Sequence, residues 1–256
     1  LQRGSAPIFC TGVSRHRLRH LDIFGPYVLP LQKAKKMMAT ILFAIPPRLL
    51  KKGIAVRIAG SLGKPSKMPG LSYGISAKLC KVGAKLASVA GSTCEGCYAL
   101  KANYSYPSVQ KAHENRVASL SSVSWADAMI FQIRQSKTEY FRWHDSGDLQ
   151  SLQHLFDIVR IAEALPSVKF WIPTREKGIV NQYLRASGNF PDNLVVRVSA
   201  AMVDGDAPTG YDCTSTVHQN EAPIGVECEA YKNKNKCGTC RKCWDRSIKN
   251  ISYRKH

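Results

Sequence analysis

The sequence has no apolar run that approaches the ~20 residues of a membrane-spanning helix. The nearest candidate, residues 38–45, is far too short. A secretory signal is not convincing either, because the apolar stretches near the start lie among Arg, His and Lys residues. These absences argue against a membrane partner and predict an intracellular protein.

Acidic residues are also scarce. The chain has 18 Asp and Glu residues against 37 Lys and Arg residues, which gives a formal net charge of +19. This balance raises the expectation of an anionic partner, either a nucleic acid or a small molecule such as a phosphorylated substrate. The alternative is that the basic charge is spread over a solvated surface and over disordered ends, because no motif localises it on one element.

The first 36 residues differ from the rest of the chain. Basic residues and scattered prolines occur there without a sustained period, and Met37 and Met38 follow directly. We expect residues 1–36 to be a basic extension, either upstream of a natural start at Met37 or Met38 or an arm that orders on a polyanion. Residues 37–256 are predicted to form a single domain, which includes a Cys-rich loop at 80–97 and a Cys-rich tail at 228–243.

The middle of the chain alternates between strand and helix patterns. Helices are predicted over residues 108–120, 124–136, 152–165 and 177–186, the last closed by Gly188. Strands are predicted over residues 140–144, 168–172 and 194–199, the second stopped by Pro173. This order is typical of a parallel sheet with helical crossovers, so we expect an α/β fold with a TIM-barrel-like or partial barrel, or an open sheet. Regular periodicity fades after Ala201.

Nine cysteines could in principle form disulfides or bind metal. A disulfide framework is typical of chains under ~100 residues with a secretory signal, and this chain has neither property. The strongest pattern is the C-terminal one, which comprises Cys228, Cys237, Cys240 and Cys243. Two overlapping CxxC steps favour a [4Fe–4S] cluster over structural Zn²⁺, which more often has two separated CxxC pairs. The basic residues around these thiols are expected to lower the thiol pKa values.

A second set consists of Cys80, Cys94 and Cys97. Three cysteines can bind a four-iron cluster and leave one iron open, as in radical enzymes that use S-adenosylmethionine, but the CxxxCxxC spacing of those enzymes is absent. The set can therefore form its own metal site, share a site with the C-terminal cysteines, or remain free. A thioredoxin-type redox pair is less favoured, since no strand directly precedes Cys94.

Polar residues follow the predicted strands where ligands gather in parallel sheets. The candidates for acid–base chemistry or anion binding are His144, Asp145, Asp148, Arg175 and Glu176, with Ser199 beside them. The alternative interpretation is that Asp148 caps the following helix and that Arg175 pairs with Glu176 on the surface.

Several of these stretches resemble the gene product 88-like family of phage and prophage proteins. The matching segments are CKVGAK from Cys80, CEGCYA from Cys94, RWHDSGD from Arg142, PTRE from Pro173, STVH from Ser215 and CGTCRKCW from Cys237. The resemblance runs from about Pro69 to His256. It implies a phage-derived protein in the bacterial host cytoplasm and implies no particular reaction.

Together these features predict an iron–sulfur protein, and a redox or radical-type enzyme that acts on an anionic substrate. Two alternatives stay open. One is a nucleic-acid-associated phage factor whose four-cysteine site holds structural zinc or a structural cluster. The other is an inert virion or interaction protein whose fold is stabilised by bound metal.

Overall fold

The computed structural model describes residues 49–255, which fall within one compact unit. Its helices in this range are α1 (Lys52–Ala59), α2 (Lys81–Leu86), α3 (Pro107–Ser119), α4 (Trp125–Ser136), α5 (Leu152–Ala164) and α6 (Lys177–Ser187). The strands are β1 (Leu71–Tyr73), β2 (Tyr140–Trp143), β3 (Lys169–Thr174), β4 (Leu194–Val203), β5 (Cys213–His218), β6 (Val226–Glu227) and β7 (Asn250–Arg254). The predicted extension at residues 1–36 lies outside the described residues.

All seven strands lie in one parallel sheet with the order β1-β2-β3-β4-β5-β7-β6. The mixed α/β class and the parallel sheet with helical crossovers are confirmed. Among the described residues, β1 and β6 are the two edges and do not pair with each other. The sheet is therefore open in this part of the chain, and barrel closure stays a prediction.

One face of the sheet packs against the helices. Phe141, Trp143, Phe170, Ile172 and Val198 project from the strands into a core that the helices complete with buried apolar side chains. The boundaries of α5 have local causes, because the Ser151 hydroxyl accepts the His154 N–H at 3.1 Å and caps the first turn. This layer holds the strands in register and leaves the other face to the C-terminal tail.

The opposite face carries Arg142, Trp171 and Arg197, which the strand alternation points away from the helices. The tail covers this face through Trp244, whose indole Nε1 donates to Phe141 O at 3.0 Å and whose ring lies 5.3 Å from that of Trp171. The sheet is thus sandwiched between a helical layer and an irregular Cys-rich layer.

The four predicted helices and the three predicted strands are confirmed to within a few residues. The prediction that Pro173 stops its strand is wrong, since β3 continues to Thr174. Successive backbone N–H groups of a strand point to opposite neighbours, and the nitrogen of Pro173 points toward β2. The last pair between β2 and β3 is Arg142 with Trp171, so β2 offers no ladder partner at Pro173 and the missing N–H breaks no hydrogen bond of the sheet.

Strands β1, β5, β6 and β7 were missed by the sequence pattern. Strand β5 is buried, yet Thr214 and Thr216 on it are polar. Their hydroxyls bond to the side chain of Asn250 on β7 at 2.8 and 2.9 Å, and His218 Nδ1 lies 2.8 Å from Ser252 Oγ. Because side-chain hydrogen bonds stabilise this strand pair, no alternation of apolar residues marks it.

None of the described helices combines the length and the apolar composition that a membrane-spanning segment requires.

Candidate functional site

The carboxyl ends of the parallel strands meet at one edge of the sheet. Residues 144–148 follow β2, and Arg175 and Glu176 follow β3. The structure brings Asp148, Arg175 and Glu176 together there and folds the cysteine loop at 80–97 over them.

Asp148 is buried and holds the end of β3. Its Oδ1 accepts the Thr174 hydroxyl at 2.5 Å and the Leu149 N–H at 2.7 Å, and its Oδ2 accepts the Arg175 N–H at 2.8 Å. Burial raises the pKa of this carboxyl to about 6, although the three hydrogen bonds act to lower it. Asp148 does not cap α5, where Ser151 is the capping residue, so that alternative is wrong.

Glu176 anchors the cysteine loop. Its Oε1 accepts the backbone N–H groups of Lys81 at 3.0 Å and Val82 at 2.9 Å, which begin α2 directly after Cys80. Arg175 Nε donates to Thr93 Oγ1 at 2.9 Å. Arg175 and Glu176 therefore bind different parts of the loop, and the structure does not support the alternative that they form a surface pair.

The loop is also tied to β4. The pairing of β4 with β5 is irregular between Ser199 and Val203. At this irregularity Thr93 N donates to Ala201 O at 2.8 Å, and Val203 N donates to Gly91 O at 2.9 Å. Ser199 itself bonds to Ser215 at 2.9 Å. The irregular segment of β4 thus forms hydrogen bonds to the loop that carries Cys94 where its pairing with β5 is interrupted.

Cys80, Cys94 and Cys97 lie close together in this loop. A Cβ atom added at Gly83 would lie 3.5 Å from Cys94 Sγ and 3.7 Å from Cys80 Sγ, so the absence of a side chain leaves room beside both thiols. Burial raises the pKa of Cys80 to about 12, and Asp148 and the other two thiols add to the shift. Burial also raises the pKa of Cys94, while Arg175 lowers it.

Asp145 lies under two tyrosines that follow this loop. The Tyr98 hydroxyl donates to Asp145 O at 2.9 Å, and the Tyr104 hydroxyl reaches Asp145 Oδ2 at 3.3 Å. Burial and then the Asp145 charge raise the pKa of Tyr104. Sequence reasoning missed both tyrosines, although Tyr98 directly follows Cys97.

His144 turns away from this group. It has a left-handed backbone, with φ of 57°, and its ring lies 5.3 Å from that of His154 in the helix-covered layer. Only 3% of His144 is exposed, and neither ring nitrogen has a hydrogen-bond partner. Burial, followed by His154 and Arg142, lowers the pKa of His144 well below its ordinary value. The structure therefore does not place His144 with Asp148 and Arg175.

The C-terminal cysteines form a second group at the opposite face of the sheet. Cys228 N donates to Ser252 O on β7 at 2.8 Å, Cys237 N to Lys67 O at 2.9 Å, and Cys240 N closes a turn onto Cys237 O at 2.9 Å. The Cys243 thiol lies 3.3 Å from the Tyr253 hydroxyl. These contacts hold the four cysteines in one irregular layer.

Burial raises the pKa of Cys243 to about 12, with a smaller contribution from Cys228, and it also raises the pKa values of Cys228 and Cys237. Lys242 lowers the pKa of Cys228 and Arg241 lowers that of Cys237, as expected from the sequence, but burial outweighs both effects. Lys234 and Lys236 are exposed to solvent, so their charges are screened while the thiols are desolvated. Cys240 is exposed.

Arg197 is the central buried charge of this face. It is 0% exposed and donates to five backbone carbonyls, those of Cys243, Thr214, Ile248, Lys242 and Asp245, at 2.7 to 3.5 Å. Arg142 lies over the Trp171 ring at 4.6 Å, and its buried Nε has no hydrogen-bond partner. Sequence reasoning missed Arg197, although a single charge inside the apolar run LVVRVSA is a signal of a buried cation.

The two groups are separate. Cys80 interacts electrostatically with Cys94 and Cys97, and Cys237 with Cys228 and Cys240. Cys213 belongs to neither group and bonds to Arg246 O at 3.5 Å. Within residues 49–255, no three His, Cys, Asp or Glu side chains are arranged as ligands of a single metal ion.

Comparison with known proteins gave one family. A family model described as gene product 88 matches residues 48–246. No curated protein and no solved structure showed a significant match to the chain.

Proposed function

The chain belongs to the gene product 88 family, and we propose that this phage-type protein binds two [4Fe–4S] clusters and is a redox or radical-type enzyme. The C-terminal cysteines would hold one cluster with four thiolates. Cys80, Cys94 and Cys97 would hold the other and leave one iron open beside the strand-end carboxylates. The strand order, which is sequential from β1 to β5, supports a partial barrel as the scaffold.

The observation that carries the proposal is the buried positive charge beside the C-terminal thiols, with which no carboxylate of the described residues forms an ion pair. Arg197 donates hydrogen bonds only to neutral carbonyls, and the Nε of Arg142 has no hydrogen-bond partner. Asp245 and Asp145 act on these guanidiniums electrostatically, without an ion pair. The positive charges of both guanidiniums act to lower the pKa of the Cys243 thiol. Buried charges are rarely left without a counter-charge, and four thiolates around a cluster would supply one. This donor set and charge fit an anionic metal–thiolate group.

The strand-end group also fits a cofactor. Gly83 leaves space next to two thiols, and the loop that carries them is fixed by Glu176, Arg175 and β4 rather than by its own core. Site residues that are held by contacts with a rigid sheet keep their geometry when a ligand binds. When bound, a cluster with an open iron supplies single electrons and a coordination position for an exogenous molecule.

The chain's own residues would then handle protons and the substrate. Asp148 can hold a proton near neutral pH, because its pKa is about 6 and it lies near Cys80 and Cys94. Arg175 is partly exposed, and only its Nε has a described hydrogen bond. Its terminal nitrogens are thus available for a carboxylate or phosphate of an anionic substrate.

The test is anaerobic preparation with iron and sulfide, followed by absorption and electron paramagnetic resonance spectra and by iron, sulfide and zinc analysis. Two clusters predict about eight irons per chain, since each [4Fe–4S] cluster contains four. A Cys237→Ala/Cys240→Ala variant and a Cys94→Ala/Cys97→Ala variant should each lose about half of the iron.

Cys213→Ala is the matched control, because it removes a buried cysteine that belongs to neither group, and it should keep all of the iron. A colourless protein with stoichiometric zinc would refute the proposal. S-adenosylmethionine should change the spectrum of the wild type and of the tail variant, and should leave the Cys94→Ala/Cys97→Ala variant unaffected.

A second candidate is a nucleic-acid-associated factor with a structural four-cysteine site. The observation in its favour is the row of exposed lysines in the cysteine tail, Lys232, Lys234, Lys236 and Lys242. It predicts binding to DNA or RNA that weakens steeply as salt rises. Absent or salt-insensitive binding would remove this candidate.

A further inference from the structure

A groove of about 670 Å³ opens at the amino ends of β2, β3 and β4, away from the strand-end carboxylates. Tyr140, Lys169 and Asp192 line its sheet side, and Arg241, Lys242 and Arg246 of the tail line the other. We call it the tail groove. The segment that forms its outer wall is the one that carries Cys240 and Cys243.

The tail groove carries excess positive charge, because four cations line it, Lys169, Arg241, Lys242 and Arg246, against two carboxylates, Asp192 and Asp245. Asp245 interacts electrostatically with Lys169 without forming an ion pair. Arg246 is neutralised by Asp192 at 3.3 Å and Asp212 at 3.1 Å. Among the described residues, Lys169, Arg241 and Lys242 have no carboxylate within ion-pair distance, and the two lysines are exposed. A surface of this kind attracts an acidic partner and speeds its association at low salt.

The groove is continuous with the exposed part of the cysteine tail. Arg241 donates to Gly238 O at 2.7 Å and to Cys240 O at 2.8 Å, so its guanidinium lies on the turn that contains Cys240. Cys240 is the exposed member of the four C-terminal cysteines. A partner seated on these cations would therefore approach the proposed tail cluster at its most accessible ligand.

The aromatic side chains of the groove are already covered, which argues against nucleic acid. The guanidinium of Arg241 lies over the Tyr140 ring at 5.1 Å. Trp244 is buried and packs edge-on against Tyr140 and Trp171. Single-stranded nucleic acid is usually held by bases stacked on exposed aromatic rings, and this groove offers none within the described residues.

From these observations we propose that the tail groove is the docking surface for a small acidic electron-carrier protein that reduces the cluster of the C-terminal cysteines. This inference rests on the proposed function. The carrier, in its reduced form, gives up one electron and the cluster gains it. No covalent bond forms or breaks, and the carrier leaves oxidised.

The test is stopped-flow reduction of the reconstituted full chain by two donors, a reduced acidic [2Fe–2S] ferredoxin and dithionite, at low salt. A Lys169→Glu/Lys242→Glu variant should be reduced by ferredoxin at least about tenfold more slowly than the wild type, because steering of this kind changes association rates by ~10 to 10³. Its reduction by dithionite should be unchanged. Asp192→Asn should increase the ferredoxin rate.

Lys52→Glu/Lys111→Glu is the control, since it makes the same change in net charge at exposed helix positions. Its ferredoxin rate should stay within about twofold of the wild type. Equal slowing in the two double variants would overturn the proposal. So would tight binding of a single-stranded oligonucleotide that only the groove variant loses, with the ferredoxin rate unaffected.

A failure of the proposed cluster binding can be told apart from a failure of the proposed docking surface. If no iron is incorporated, titration of ferredoxin against the metal-free chain still measures docking. Binding that only the groove variant loses would support the surface, and absent binding would overturn it.

Discussion

Arg197 offers a direct test of how the cysteine tail is held on the sheet. The guanidinium is fully buried and donates to five carbonyls, four of which belong to residues 242–248. Replacing it in the variant Arg197→Met keeps a side chain of similar length and removes every donor. We therefore expect the tail to lose its main attachment to β4.

The magnitude follows from two opposing contributions. Hydrogen bonds to charged groups contribute ~1.5–3 kcal/mol each, but a simple sum over five overestimates the loss, because removing the charge also removes its desolvation cost of several kcal/mol. A buried acceptor left without a donor costs ~1–3 kcal/mol, and four of the five hydrogen bonds are only partly buried, so we expect a net loss of ~3–5 kcal/mol. This is a large share of a typical stability of ~5–15 kcal/mol.

The assay is urea unfolding of the metal-free, reduced chain, followed by tryptophan fluorescence. Arg197→Lys keeps the charge and has three donors on one nitrogen, which cannot reach all five carbonyls. It should lose less stability than Arg197→Met and incorporate more iron. A loss below about 1 kcal/mol in Arg197→Met, or equal losses in both variants, would refute the reasoning.

Three further predictions address single groups. Burial raises the pKa of Asp148 from 3.8 to about 6, so the folded state binds the proton more tightly than the unfolded state. The resulting stabilisation is complete below about pH 4 and is lost as the pH rises through 6. In urea unfolding, the wild type should therefore lose up to about 3 kcal/mol relative to Asp148→Asn between pH 4 and 7. Parallel curves for the two proteins would contradict it. Gly83→Val should fill the space beside the strand-end thiols, which lie 3.5 and 3.7 Å from its Cβ position, and should reduce iron by about half with the far-ultraviolet spectrum retained; full iron content would count against that site. Tyr253→Phe removes the hydroxyl that lies 3.3 Å from the Cys243 thiol. Because a hydrogen bond to a cluster sulfur of ~1 kcal/mol stabilises the reduced form, its loss should lower the midpoint potential of the tail cluster by about 40 mV. An unchanged potential in redox titration would contradict this role of the hydroxyl.

The helices show how far local pattern reaches. The bounds of α3, α4, α5 and α6 lie within a residue or two of the predicted ones, because apolar periodicity and terminal signals are written in neighbouring residues. Pattern failed for β5 and β7. Their buried hydroxyls and amides hydrogen-bond to each other across the strand pair, and those bonds join residues 34 or more positions apart.

The candidate site likewise has residues that the sequence predicted and contacts that it did not. The sequence named Asp148, Arg175 and Glu176 as strand-end residues, and the structure groups them. It did not anticipate that Glu176 binds the start of α2, a contact across 95 residues. It also placed His144 in the pocket, whereas a left-handed backbone directs this side chain into the helical layer.

The sequence by itself determined the α/β class, the family and the cysteine spacing, since each depends on residue types at short, fixed separations. The tertiary structure decided that the cysteines form two groups on different parts of the sheet. It also decided that Arg197 and Arg142 lie beside the tail thiols, and that Asp148 has a raised pKa. Burial and charge depend on which distant segments are packed together, and only the folded chain brings those segments into contact.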